Sequence, residues 1–179
     1  MKDKASNYDR VLSSFTDTQN KTLEAEYTSL KDSSVVTKTH YIGQRFENIY
    51  IDKYKFTNLP KLLEEAITHA SEILNTKQKI KVGFWFNEMR PGHRTSAHTH
   101  DEDDELLSGV YYVNVPENSG NLILGDDILD PKNEMISIMP ERGEFIFFSP
   151  KLVHSVNENK SLKTRLSIGM NFGRESSQH

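Results

Sequence analysis

Between Lys79 and Phe172, apolar and polar residues alternate with a period of about two, and Gly, Pro, Asn or Asp interrupt the pattern every few residues. Upstream of this stretch the period changes. Asn58-Leu59-Pro60 opens a segment in which Leu62, Leu63, Ala66, Ile67, Ala70, Ile73 and Leu74 recur on one stripe. Proline suits a first helical turn, so the spacing predicts an amphipathic helix running to about Asn75 that covers one side of a sheet. The downstream alternation predicts strands at 80–89, a short piece leading into His98, and further strands at 107–115, 120–125, 135–139, 144–149, 153–157 and 164–172. Eight short strands with turn residues between them fit a sandwich or barrel rather than an alternating α/β sheet, and such a set commonly folds as a jelly roll.

The N-terminal part is less regular. From 33 to 55 the residues Val35, Val36, Thr37, Tyr41, Ile42, Phe46, Ile49, Tyr50 and Ile51 suggest short extended segments flanking a core. The first thirty residues are polar, with a weak helical pattern at Leu23, Ala25, Tyr27 and Leu30, and read as a loosely packed element; 174–179 read as a frayed tail. The expected architecture is mostly β. It is one domain over 1–179, with a jelly-roll core at about 79–173 and helical and extended support at 1–78 packed on one sheet.

Composition narrows the chemistry. The 179 residues carry 22 Lys plus Arg against 26 Asp plus Glu, a net charge of -4, with no basic cluster to neutralise a phosphate backbone, so nucleic acid is not an expected partner. No apolar stretch is long enough for a signal peptide or a membrane span, which points to a cytoplasmic protein without a membrane partner. Cysteine is absent, so any metal must be held by histidine and carboxylate.

His98-Thr99-His100 offers such ligands. In an extended segment residues i and i+2 share a face, so both imidazoles can reach one ion. His154 lies on a second strand candidate that a sandwich can bring opposite, and the run Asp101 to Glu105 offers carboxylates. Histidine with carboxylate on one face, leaving open positions, is the arrangement non-haem iron(II) oxygenases use. Each feature alone has a plainer explanation, since acidic loops are usually solvated and a lone strand histidine is usually surface or hydrogen-bonded core. His40, His69, His93 and His179 lack such partners and read as structural or surface residues, with His93 near enough to line the pocket mouth. Arg165, in an otherwise apolar strand, needs an anion if it points inward, and a dicarboxylate would provide one.

The order Trp85-Phe86-Asn87, His98-Thr99-His100, Leu107 to Val113, Pro116, Ser119-Gly120, Gly143 to Pro150, His154, Arg165-Leu166-Ser167-Ile168 and Asn171-Phe172 resembles the 2-oxoglutarate- and Fe(II)-dependent oxygenases. The likeness is to the small bacterial and phage-type group related to prolyl hydroxylases, and covers roughly 82–172. It implies a double-stranded β-helix, Fe(II) and 2-oxoglutarate as cofactors, and hydroxylation of a substrate with release of succinate and CO2. By the same resemblance Arg165 pairs with the distal carboxylate of 2-oxoglutarate, Ser167 shares that contact, and Tyr111 or Tyr112 presents a hydroxyl to the pocket. The favoured ligand set is His98, His100 and His154. The wider family reads His-x-Asp or His-x-Glu at the first pair, so Asp101 and Glu102 stand as alternative carboxylate ligands.

A cupin-type metal enzyme competes on the same fold, through Gly92, His98, His100 and Glu105, as does a jelly-roll binding module without catalysis. The substrate, a small molecule or a protein side chain, has no signature here, although the acidic run hints at a cationic or hydroxyl-rich one. The oligomeric state is equally open, a homodimer being one option.

Overall fold

A computed structural model describes residues 8–100, 104–125 and 135–175. Eleven strands and two helices lie among the described residues, arranged as two antiparallel sheets with the helices on the outside of the larger one. The strands are β1 (Tyr8–Leu12), β2 (Thr37–Ile42), β3 (Arg45–Tyr50), β4 (Ile80–Met89), β5 (Thr95–His98) and β6 (Glu105–Asn114), then β7 (Leu122–Leu124), β8 (Ile136–Ile138), β9 (Glu144–Phe148), β10 (His154–Val156) and β11 (Arg165–Arg174). The major sheet runs β1-β9-β6-β11-β4-β3-β2 and the minor one β5-β10-β7-β8. This is the jelly-roll architecture expected from the alternation, a double-stranded β-helix.

Two cores follow from the period of two. On the outward face of the major sheet, Tyr111, Val113, Phe145, Phe147, Ile168 and Phe172 pack with residues of the N-terminal segment. On the inward face, Tyr112, Ile146 and Phe148 meet Leu122, Leu124 and Ile138 of the minor sheet. Strand β11 is buried on both faces at the centre of the sheet, so its leucine, isoleucine, methionine and phenylalanine go outward while Arg165, Ser167, Gly169 and Asn171 go inward. The polar half of that alternation is therefore aimed into the barrel.

Helix α2 (Leu59–Ile73) carries Pro60 in its first turn and buries Leu59, Leu62, Leu63, Ala66 and Ala70. Full burial of each leucine contributes about 1.5–3 kcal/mol. Asn75, at φ 46, takes the left-handed conformation that ends the helix.

The N-terminal region departs from its expected loose packing. Helix α1 (Asp17–Leu30) begins with a reciprocal capping box between Thr16 and Gln19, and it buries Leu23 and Tyr27, whose ring lies 4.9 Å from Phe86. Strand β1 extends the major sheet beside β9, pinned by a two-pronged pair of Arg10 Nε and Nη2 on Glu144 at 2.9 and 2.8 Å. Arg174 closes β11 rather than starting a tail. No helix is long and apolar enough to cross a membrane among the described residues.

Candidate metal centre

Strands β5 and β10 pair with His98 opposite His154, so the backbone register alone sets two imidazoles side by side. His100 follows β5 in extended chain, where its backbone N–H donates to Pro150 O at 2.9 Å, and its ring turns to the same side as His98. The result is a cluster in which the three candidate ligand atoms lie within 4.8 Å of one another.

Hydrogen bonds prepare two of the rings. His98 Nδ1 lies 2.8 Å from Ser96 O, and His154 Nδ1 lies 3.0 Å from Leu152 O. A carbonyl only accepts, so each Nδ1 carries a proton and Nε2 is the ring atom left to meet a metal. Burial pushes His154 down to about 3, aided by the neighbouring His98, and pushes His100 down to about 4. Both are neutral at physiological pH, the form a metal requires.

The cavity beside the cluster holds about 610 Å³ of space, mouth included, and extends from the three histidines to Tyr112, Arg165 and Ser167. Arg165 is 1% exposed and has no ion-pair partner among the described residues. Its Nη1 donates to Gly120 O at 2.5 Å and to Ser119 O at 3.4 Å, its guanidinium sits 5.1 Å from the centre of the Tyr112 ring, and its Nε has no partner. Gly120, at φ 98, is glycine for a reason: a Cβ there would run into the carbonyl of Asn157, so only glycine lets this turn present its own carbonyl to the arginine. Ser108 Oγ, Tyr112 Oη and Asn171 Oδ1, of residues lining the same cavity, are buried without partners among the described residues. The Tyr112 hydroxyl, an orphaned donor beside the buried Arg165 guanidinium, suits a bound anion, since each unsatisfied buried group costs about 1–3 kcal/mol.

Several sequence-derived candidates lie elsewhere. Tyr111 is a correction: it sits on the outward phase of β6, and its hydroxyl donates to Asn20 Oδ1 at 2.7 Å on the helix side. Of the two tyrosines only Tyr112 reaches the cavity. His93 does not line this mouth either, for it borders a separate surface depression with Tyr27 and Glu88 and accepts from the Arg90 N–H. Glu105, the cupin-type candidate, accepts from Asn171 Nδ2 at 2.5 Å and stands outside the histidine cluster. Asp101, Glu102 and His179 lie outside the described residues.

Other cavity residues had no role assigned in the sequence, Trp85 entering it only within Trp85-Phe86-Asn87. Trp85 lies flat on β11 because position 169 is glycine: a Cβ there would fall 2.5 Å from the indole Cζ2. Its ring ends up 5.5 Å from that of His100. An isolated glycine inside a strand is the signal that could have disclosed this approach. Glu47 and Asn48 reach the cavity from β3, where nothing in the local sequence announces it.

Comparison with known proteins agrees with this geometry. The family described as "Putative 2OG-Fe(II) oxygenase" matches residues 83–171, the span from β4 to β11 that carries all three histidines and Arg165. No curated protein matches by sequence. A Pseudomonas putida prolyl-4-hydroxylase superposes with a TM-score of 0.74 at 16% identity, covering 95% of this chain and 94% of that one. The α-ketoglutarate-dependent carbocyclase SnoK of nogalamycin biosynthesis gives 0.75 at 13%, over 94% and 79%. A collagen prolyl hydroxylase of Paramecium Bursaria Chlorella virus-1 gives 0.61 at 18%, over 96% and 91%. Identities this low speak for a shared fold.

Proposed function

The chain belongs to the 2-oxoglutarate- and Fe(II)-dependent oxygenase superfamily, and from that premise we propose that His98, His100 and His154 hold its ferrous ion while Arg165 seats its 2-oxoglutarate. The observation that carries the reading is Arg165: a buried cation without a carboxylate partner among the described residues, opening into the cavity that the three imidazoles line.

The donor set fits the group. Three nitrogen donors from β5, the segment after it and β10 border the cavity and would hold the ion with fewer protein ligands than it can take, as an open catalytic metal site requires. When bound, ferrous iron with 2-oxoglutarate would supply, at the expense of dioxygen, the oxidative decarboxylation that releases CO2 and succinate, one oxygen atom of O2 entering succinate and the other a substrate C–H bond. The protein does the rest. Arg165 meets the distal carboxylate of the co-substrate with a fixed guanidinium, helped by the Tyr112 hydroxyl and Ser167. Burial raises Tyr112 to about 12, so its hydroxyl stays protonated and able to donate. Val110, Leu122, Phe148 and Val156 line the same cavity and keep bulk water from the reacting atoms. Hydroxylation is the outcome we assign.

Anaerobic titration of the metal-free protein with Fe(II) and then 2-oxoglutarate tests the assignment. A visible charge-transfer band that saturates at one equivalent of each, followed by succinate release on admitting oxygen, is the expected result. A band of unchanged strength in His154→Ala would overturn the ligand set.

A further inference from the structure

One wall of the cavity is used neither by the histidines nor by Arg165. It comes from β3, outside the span that the oxygenase family matches, and its charged member is Glu47, the one carboxylate among the described residues lining the cavity. Resting on the reading that this cavity is the active site, we propose that Glu47 receives a cationic nitrogen, an ammonium or guanidinium, carried by the substrate.

The buried glutamates of this protein provide the comparison. Glu88 is held by Lys31 Nζ at 2.9 Å and by Arg90 Nε at 2.7 Å. Glu144 takes both prongs of Arg10 and the backbone N–H of Glu141 at 2.6 Å. Glu47, only 7% exposed, has one donor among the described residues: Arg45 Nη2 reaches its Oε1 at 3.3 Å. An ionised carboxylate can accept about four hydrogen bonds, and a buried one that makes a single long bond is under-satisfied.

Arg45 gives the carboxylate no second bond. Its Nη1 is committed to Asn87 Oδ1 and Glu88 O, both at 3.2 Å, and its Nη2 is shared with Arg94 O at 3.2 Å and Thr95 Oγ1 at 2.9 Å. The guanidinium is held by four other acceptors, and its Nε, buried without a partner among the described residues, does not reach Glu47, so the carboxylate is not gripped with two prongs. Glu47 Oε2 has no hydrogen-bond partner among the described residues, and it is not one of the sealed atoms of the interior. An open carboxylate oxygen in a cavity wall is a receptor for a donor that arrives with the substrate.

The approach favours a cation over a neutral donor. Asn48, Trp85, His100 and Asn171 line both this cavity and an adjoining groove, whose border carries Asp104, Glu105 and Lys81, the lysine pairing with Asp104 at 3.2 Å. A positively charged group passes a border of two carboxylates against one ammonium on the way in, and exchanges its hydration for a charge-assisted bond at Glu47. Trp85, exposed to both spaces, offers a ring face along that path.

The same chemistry can come from a free amine or from a basic side chain of a polypeptide, and calorimetry separates them. The protein, loaded anaerobically with Fe(II) and 2-oxoglutarate, is titrated with agmatine, with neutral N-butylurea, and with a capped pentapeptide bearing a central arginine. Agmatine or the peptide is expected to bind at least tenfold more tightly than N-butylurea, the tighter of the two identifying the source. Glu47→Gln is expected to remove that preference. Equal binding of agmatine and N-butylurea by the unmodified protein, or absence of any cation binding, overturns the proposal without recourse to a variant. So does an undiminished preference in Glu47→Gln. The charge-transfer band recorded beforehand keeps the two readings apart, because its absence counts against the metal and co-substrate assignment rather than against Glu47.

Discussion

At the scale of single residues, His154 and Arg165 do opposite things with burial. His154 gives up its charge to become a ligand, whereas Arg165 keeps its charge and waits for an anion. Arg165→Ala is therefore expected to raise the 2-oxoglutarate requirement roughly 100-fold, about 3 kcal/mol for a buried charge pair, while Fe(II) affinity stays within a few-fold. Succinate assays against co-substrate concentration, beside metal calorimetry, check this; equal loss of both affinities would make Arg165 a structural residue. The histidines predict a pH dependence. His154 at about 3 and His100 at about 4 lie below the unfolded value of about 6.5, so the folded metal-free protein binds fewer protons than the unfolded chain. The stability they contribute is complete above about pH 6.5 and is lost as the pH falls toward 4 and then 3, on the order of a few kcal/mol in total. Urea midpoints of the metal-free protein between pH 7.5 and 4.5 should fall, and fall less steeply in His154→Gln. Parallel profiles for the two proteins would contradict the assigned burial.

At the scale of elements, β11 fixes most of the site, since a strand buried on both faces turns a two-residue period into a helix-side core and a cavity wall. Gly169 is the point where this strand admits a ring from its neighbour. Gly169→Ala is expected to displace Trp85, cost about 1–3 kcal/mol of stability, and shift the emission of the chain's single tryptophan. An unchanged emission spectrum would show that the indole does not rest on that strand. Period was legible in the sequence, and so were strands such as Ile80–Met89, whose limits match the alternation. Phase was not: adjacent Tyr111 and Tyr112 must face opposite ways, but which one enters the barrel depends on where α1 and α2 sit. Strand β1 was invisible for a related reason, because Tyr8–Leu12 is anchored by Glu144, 134 residues away from Arg10. The capping box at Thr16 and Gln19, by contrast, was there to be read, and it marked a firm helix where weak periodicity suggested a loose one. Asp101 and Glu102 lie outside the described residues, so the choice between a third histidine and a carboxylate rests on chemistry at the site.

At the scale of the molecule, the N-terminal segment and the jelly roll share one apolar layer: Leu23, Tyr27, Phe56 and Leu62 meet Phe86, Phe145, Ile168 and Phe172. Neither side can bury that surface alone, so we treat 1–179 as one cooperative unit and expect Trp85 fluorescence and far-ultraviolet circular dichroism to report a single coincident unfolding transition. Ligands that bind only the folded form must then stabilise the whole of it. At 100 times its dissociation constant a ligand adds about 2.7 kcal/mol, and for a domain of this size each kcal/mol raises Tm by roughly 2–4 °C. Fe(II), or a redox-stable surrogate such as Ni(II), should therefore raise Tm by about 5–10 °C, and 2-oxoglutarate should add a comparable increment only when metal is present. In Arg165→Ala the first increment should survive and most of the second should vanish. A 2-oxoglutarate shift that needs no metal, or one that persists without Arg165, would place the co-substrate somewhere other than the cavity between β5, β10 and β11.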